Sequence, residues 1–346
     1  MNLRDGAAGR LATLALLLCL AACAPLGGAS VRTAETDPGG GIGGTGVSAG
    51  ESRSVGVLGT VRGFGSVLVN GVRIEAGADF PVGSPFGSTT VSGLAAGDVI
   101  EVIGTRTDDG VSAERMARLV ALVGPVTGPL DSAARLRVMD VPVTLAPEAA
   151  VAISGGRLGL TRGRRVVVSG LWRNGEVVAS RIEAAAARPF AAVASESDEM
   201  IAGVMGRADK GGARIGPLPM DLPAGADPAD GGYAIAFGHY AEGRFVAARL
   251  RQGHPVLPKR LGRLSVEAYA GTTGRTPALH GLGLQVAPDT RLSRLEGGRG
   301  VFIGPLDGTF AVEHGVSLPE SLNAQRQRLE RLGDGLAPRD GVIETR

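Results

Sequence analysis

The sequence predicts an all-β protein built from tandem copies of one small module. Three observations carry that expectation. Paired glycines seven residues apart recur at Gly97/Gly104, Gly163/Gly170, Gly231/Gly238 and Gly297/Gly304, at offsets of 66, 68 and 66 residues. The residues between them follow the two-residue period of a strand, as Val99, Glu101 and Ile103 do. Helical periodicity is scarce before Ser317.

The elements of each copy follow in order. A Val-x-Gly opens the first three copies, at Val57/Gly59, Val126/Gly128 and Val204/Gly206. A hairpin segment comes next, from Val69-Asn70-Gly71-Val72 in the first copy to Leu279-His280-Gly281-Leu282 in the fourth. Asn-Gly between β-branched residues predicts a two-residue type I′ turn, because both central positions need positive φ. After the glycine-framed strand a further glycine follows, at Gly110, Gly175, Gly243 and Gly308. A last strand then covers 113–116, 179–182 and 247–250, with only 311–314 left in the fourth copy.

About five short strands in roughly 65 residues fit a small closed barrel of the OB-like or SH3-like kind, since closure removes aggregation-prone edges. A β-sandwich is the alternative. The expected modules span 55–120, 121–188, 200–253 and 254–316, with a linker at 189–199. A C-terminal helix and tail occupy 317–346. There Ser317 and Glu320 resemble a capping box, and Leu318, Leu322, Leu329 and Leu332 share one face up to Gly333.

Composition supports a folded chain that does not bind nucleic acid. Apolar residues make up 44% and charged residues 20%, enough for a packed core despite 56 glycines and 20 prolines. Net charge is +2, so no basic nucleic-acid surface is indicated.

The N-terminus predicts export. Arg4 and Arg10 precede a ten-residue apolar run, Leu11 to Leu20, too short to span a bilayer but suited to a signal peptide over 1–22. Leu20-Ala21-Ala22-Cys23 resembles a bacterial lipobox, which makes Cys23 the lipidation residue and discards Cys19. The mature chain would then hold no thiol and no disulfide. By resemblance to lipoprotein sorting, Ala24 in place of Asp favours the periplasmic face of the outer membrane. Residues 23–54 are rich in Gly, Ser, Thr, Ala and Pro, a flexible tether reaching about 30 Å. Gly41, Gly43 and Gly46 fit a dinucleotide fingerprint, and Gly46, Ser48 and Gly50 fit a nucleophile elbow. Neither has the flanking strand and helix its chemistry requires, so both are chance matches in a glycine run.

The run Gly40 to Gly46, the segment Gly63 to Arg73 around Asn70-Gly71, and the Gly97-Asp98 strand start resemble a known family. It comprises bacterial exported proteins, often lipoproteins, with tandem repeats of a domain of unknown function. The resemblance extends to about Glu183 and weakens in the third and fourth copies, where Gly216-Pro217 and His280-Gly281 replace Asn-Gly. It implies the repeated β fold and supplies no catalytic residues.

Site chemistry is sparse. His239, His254, His280 and His314 are widely spaced and form no zinc pattern, and Asp108-Asp109-Gly110 lacks calcium-loop spacing. No cofactor or metal is expected. One recurring position stands out: Trp172 with Arg173, Tyr240 with His239, and Arg106 all fall just before the terminal turn of their copies. Aromatic and arginine side chains there would suit a ligand face on an OB-like barrel. The expected function is non-catalytic: a lipid-anchored envelope protein that binds or scaffolds envelope protein or polysaccharide. An envelope polysaccharide hydrolase and a ligand-free spacer are the alternatives.

Overall fold

The structure, a computed structural model, describes residues 54–319 apart from 64–65, 187–196, 209–211, 274–275, 289, 291 and 293–297. The first barrel contains β1 (Ser54–Gly63), β2 (Val67–Val69), β3 (Val72–Glu75), a hairpin of β4 (Pro81–Ser84) and β5 (Gly87–Thr90), then β6 (Val99–Arg106) and β7 (Val111–Leu119). β1 pairs antiparallel with β2, and β2 with β3; β3 runs parallel to β7, β7 pairs antiparallel with β6, and β6 returns to β1. The circuit closes, with the strand order of an OB barrel.

The same circuit recurs. The second barrel has β8 (Leu122–Gly128), β9 (Arg135–Val138), β10 (Val141–Ala152), β11 (Arg165–Arg173) and β12 (Glu176–Ala184), with β10 parallel to β12 and β11 back on β8. The third has β13 (Glu199–Arg207), β14 (Ala213–Ile215), β15 (Leu218–Asp221), β16 (Tyr233–Ala241) and β17 (Arg244–Gln252), closed the same way. The fourth uses β18 (Arg260–Thr273), β19 (Thr276–Leu279), β20 (Arg299–Asp307), β21 (Thr309–Phe310) and β22 (His314–Ser317). Its third strand shrinks to Gln285 and Val286, which bridge to Ala278 and, in parallel, to Phe310.

The repeated glycines have a steric cause. Gly97, Gly163 and Gly231 enter the fourth strand at φ of +90°, +80° and +79°, which a side chain would strain. Seven residues on, register shifts mark a bulge at Gly104, Gly170 and Gly238. A Cβ there, or on Gly304, would fall well inside 3.0 Å of a carbonyl oxygen on the final segment, that of Ser112, Val178, Val246 or Ala311. The expected turn is also present, with Asn70 at φ 56° and Gly71 at φ 78°.

The barrels join through their first strands. β1 lies parallel to β18, from Val55 opposite Arg263 to Leu58 opposite Val266. β8 pairs antiparallel with β13, Leu122 opposite Ile201 and Val123 opposite Met200. One apolar core runs continuously from Val138, Val166 and Val177 of the second barrel into Ile201, Ile215 and Phe245 of the third. Another joins Leu264, Val266 and Phe302 of the fourth to Leu58 of the first and Leu171 of the second. The helix expected over 317–346 lies outside the described residues from 320 onward. Ser317, its expected cap, instead closes strand β22, and Leu318 beside it is buried.

Candidate functional site

Several buried ionisable residues converge where barrels meet. Glu267, in mid-β18, is 1% exposed. Its carboxylate accepts the Thr60 N–H at 2.7 Å, Arg62 Nη2 at 2.7 Å and Arg299 Nε at 2.6 Å. Arg299 Nη1 also donates to Glu148 of β10 at 2.8 Å, so three barrels share one cluster. Burial alone would raise the Glu267 carboxyl. The Arg299 and Arg62 guanidinium groups and the Thr60 N–H outweigh it and hold the pKa at about 2.

A second cluster joins the first two barrels. Arg118 Nη2 contacts Asp98 at 2.9 Å and Glu183 of β12 at 2.6 Å, while Ser180 Oγ donates to the Gly97 carbonyl at 2.6 Å. Burial raises the Asp98 carboxyl despite Arg118.

A third fixes the segment between barrels three and four. His254 sets Nδ1 against the Glu101 carboxylate of β6 and Nε2 at 2.6 Å from the Leu282 carbonyl. The imidazole stacks on Tyr233, centroids 4.3 Å apart and planes 11° from parallel. The second Glu101 oxygen accepts the Val256 N–H at 3.1 Å. Burial would lower the His254 pKa, but the Glu101 hydrogen bond and charge raise it.

The residues expected to bind a ligand are placed differently from one another. Trp172 is 7% exposed, and its indole N–H donates to the Ala202 carbonyl at 2.8 Å. Gly203, Gly216 and Gly281 line its ring. A ring enclosed this way has no open face for stacking, so the expectation of a ligand-facing Trp172 gives way to one of packing. Arg173 Nε donates to Glu176 at 2.7 Å, and its guanidinium lies 5.3 Å from the Tyr269 ring centroid. Tyr240 donates its hydroxyl to Asp140 and its backbone N–H to Glu199, which also holds Arg165 at 2.7 Å. Burial and the Asp140 contact push the Tyr240 phenol up to about 12. His239 is exposed on β16, and Arg106 is half-buried at the end of β6. Trp172, Arg173 and Tyr240 thus serve different neighbours.

Leu58, Leu171, Ala202 and Leu282, one from each barrel, line a cavity of about 20 Å³, with Trp172 beside them. That is room for about one water against apolar walls, too little for a substrate. Among the described residues, no group of three or more His, Cys, Asp or Glu could hold a metal ion.

Sequence reasoning missed Glu101, Glu267, Arg118, Arg299 and His254 as joint residues. The available signal was a carboxylate among buried strand residues, Glu101 between Ile100 and Val102 and Glu267 between Val266 and Ala268.

The fold and its joints thus define a tandem OB-type β-barrel protein. Residues 123–183, which span the second barrel from β8 to β12, match the family described as Domain of unknown function (DUF5666). No curated protein and no solved structure matches the chain.

Proposed function

We propose that this chain is a non-catalytic cell-envelope scaffold, lipid-anchored through Cys23 at the periplasmic face of the outer membrane, that holds envelope protein or polysaccharide on a rigid four-barrel body. The observation behind the reading is that the buried charges are committed to joints. Glu267 with Arg62 and Arg299, Arg118 with Asp98 and Glu183, and His254 with Glu101 each tie one barrel to another. Catalysis asks for polar groups converging on an accessible pocket, whereas these converge on one another. The anchor follows from the lipobox-like residues before Cys23, which lie outside the described residues.

Two measurements test the reading. Cys23→Ser should leave the protein in the soluble periplasmic fraction rather than the membrane pellet after a high-salt wash; retention through that wash overturns the lipid anchor. Crosslinking in intact envelopes, read by mass spectrometry, should return one recurrent partner or glycan. A ligand-free spacer is the second reading, favoured by the enclosure of Trp172, and it predicts no recurrent crosslink.

A further inference from the structure

The connection from β10 to β11, residues 153–164, carries three arginines and no acid. Between Ala149 and Gly175 there is no Asp or Glu, while Arg157, Arg162, Arg164, Arg165 and Arg173 fall inside that stretch. Arg165 and Arg173 are committed to Glu199 and Glu176. Arg157 and Arg162 are exposed and Arg164 is half-buried. Asp140 feels Arg137 and Arg162 together and is held by the Tyr240 hydroxyl.

At the tip of this loop stands Leu158, 91% exposed and the one large apolar side chain so exposed among the described residues. The tip is ordered. A 3-10 turn covers Gly156–Gly159, with Gly156 N–H bonded to Ile153 O at 2.9 Å and Leu158 N–H to Gly155 O at 3.1 Å. Gly155 begins it at φ 81°, and Leu160, 2% exposed, anchors its far side. The backbone therefore holds one leucine in the core and presents the other to solvent.

An exposed leucine alone is ordinary. An exposed leucine on an ordered tip, flanked by arginines and without acids, is the pattern of a protein face that sits in a membrane interface. A soluble polyanion would need only the arginines; the leucine adds an apolar element that a lipid interface rewards. We infer that the 153–164 loop docks on anionic lipid headgroups, Leu158 entering the interface while Arg157, Arg162 and Arg164 meet the phosphates. This contact goes beyond the proposed anchor and does not depend on Cys23.

The test uses the chain from residue 23 onward carrying Cys23→Ser, which retains the whole barrel body and lacks both leader and lipid. Cosedimentation is measured with phosphatidylglycerol–phosphatidylethanolamine vesicles and with neutral phosphatidylcholine vesicles. Binding should appear on the anionic vesicles and weaken with salt. Leu158→Ser should weaken it about tenfold. Arg157→Gln with Arg162→Gln should weaken it about 25-fold, at roughly fivefold per arginine. Thermal unfolding of both variants should match the parent, since the substituted side chains are exposed. Absence of binding to anionic vesicles, or equal binding to neutral ones, overturns the inference. So does a Leu158→Ser variant that binds like the parent while the arginine variant does not, because that outcome describes a polyanion surface. Failure of the Cys23 anchor would show only in fractionation, so the two results are separable.

Discussion

Trp172 of the second barrel packs directly against Gly281 of the fourth: a Cβ on Gly281 would fall inside 3.0 Å of the Trp172 Cβ. Its indole nitrogen meanwhile donates to Ala202 of the third barrel at 2.8 Å. Gly203 and Gly216 close the remaining sides, again with no space for a Cβ beside the ring. One side chain therefore fits a slot that three glycines leave open, and it holds three barrels in register.

Truncating that side chain should loosen the junction as a whole. Trp172→Ala is expected to cost about 3–5 kcal/mol, the range for a large buried aromatic. Trp172→Phe, which keeps most of the ring and loses the bond to Ala202, should cost less. Gly281→Ala should also destabilise, since it combines a clash with φ of +76°. Denaturant unfolding followed by circular dichroism measures all three. A Trp172→Ala protein as stable as the parent would refute the packing role.

The same residue shows where sequence reasoning stops. Glycine spacing revealed the repeat because the constraint is local: Gly104 and Ser112 are eight residues apart within one hairpin, and each barrel repeats the arrangement. The Asn70-Gly71 turn was legible for the same reason. Trp172 was misread because its enclosure comes from Gly203, Gly216 and Gly281, none of which is near it in the chain. Likewise, nothing local in β1 foretells its parallel pairing with β18, some 200 residues on. Even Asn70 does more than turn the chain: its side-chain amide donates to Leu58 O at 2.9 Å and, across the joint, to Ser265 O at 3.3 Å.

The bulge glycines give a prediction with an internal control. Gly238→Ala places a methyl against the Val246 carbonyl, a backbone atom that cannot swing away. A loss of about 1–3 kcal/mol is expected, as for other overpacked sites. Gly77 has nothing within 4 Å of its would-be Cβ, so Gly77→Ala should stay within about 0.5 kcal/mol of the parent. Equal melting temperatures for the two variants would show that the close approach at the bulge is unimportant.

Acid should dismantle the Glu267 joint. The folded pKa of about 2 lies below the ordinary 4.5, so the folded state favours the ionised carboxylate. Its stabilisation is present in full above about pH 4.5 and is lost as pH falls toward 2. Glu267→Gln leaves the buried Arg62 and Arg299 with Glu148 as their remaining carboxylate, at a cost of up to about 3–5 kcal/mol near neutrality. The variant should also lose part of the parent's decline in stability between pH 4.5 and 2. Unfolding curves collected across that window decide the matter; parallel curves for parent and variant would count against it.

Alkali should act on His254, with the opposite sign. Both ring nitrogens face acceptors, the Glu101 carboxylate and the Leu282 carbonyl, and an imidazole satisfies both only when doubly protonated. The other groups around it do not change that balance: the Tyr233 ring lies flat against it, and the Val256 N–H serves the far oxygen of Glu101. The folded pKa is therefore raised above the ordinary 6.5. A raised histidine stabilises fully below about pH 6.5, and that contribution disappears as pH rises through the folded value. Loss of one proton leaves a ring nitrogen lone pair facing an acceptor, in a place that water scarcely reaches. The segment 253–259 between the third and fourth barrels should then detach from β6 before the barrels themselves unfold. Hydrogen exchange over 253–259 should accelerate between pH 6 and 9 beyond its intrinsic pH dependence, while β6 and β16 remain protected. In His254→Gln, which carries no titrating ring, exchange in that segment should follow the intrinsic dependence alone. If the parent does the same, His254 is a neutral, passive filler of the joint and the charged pairing is wrong.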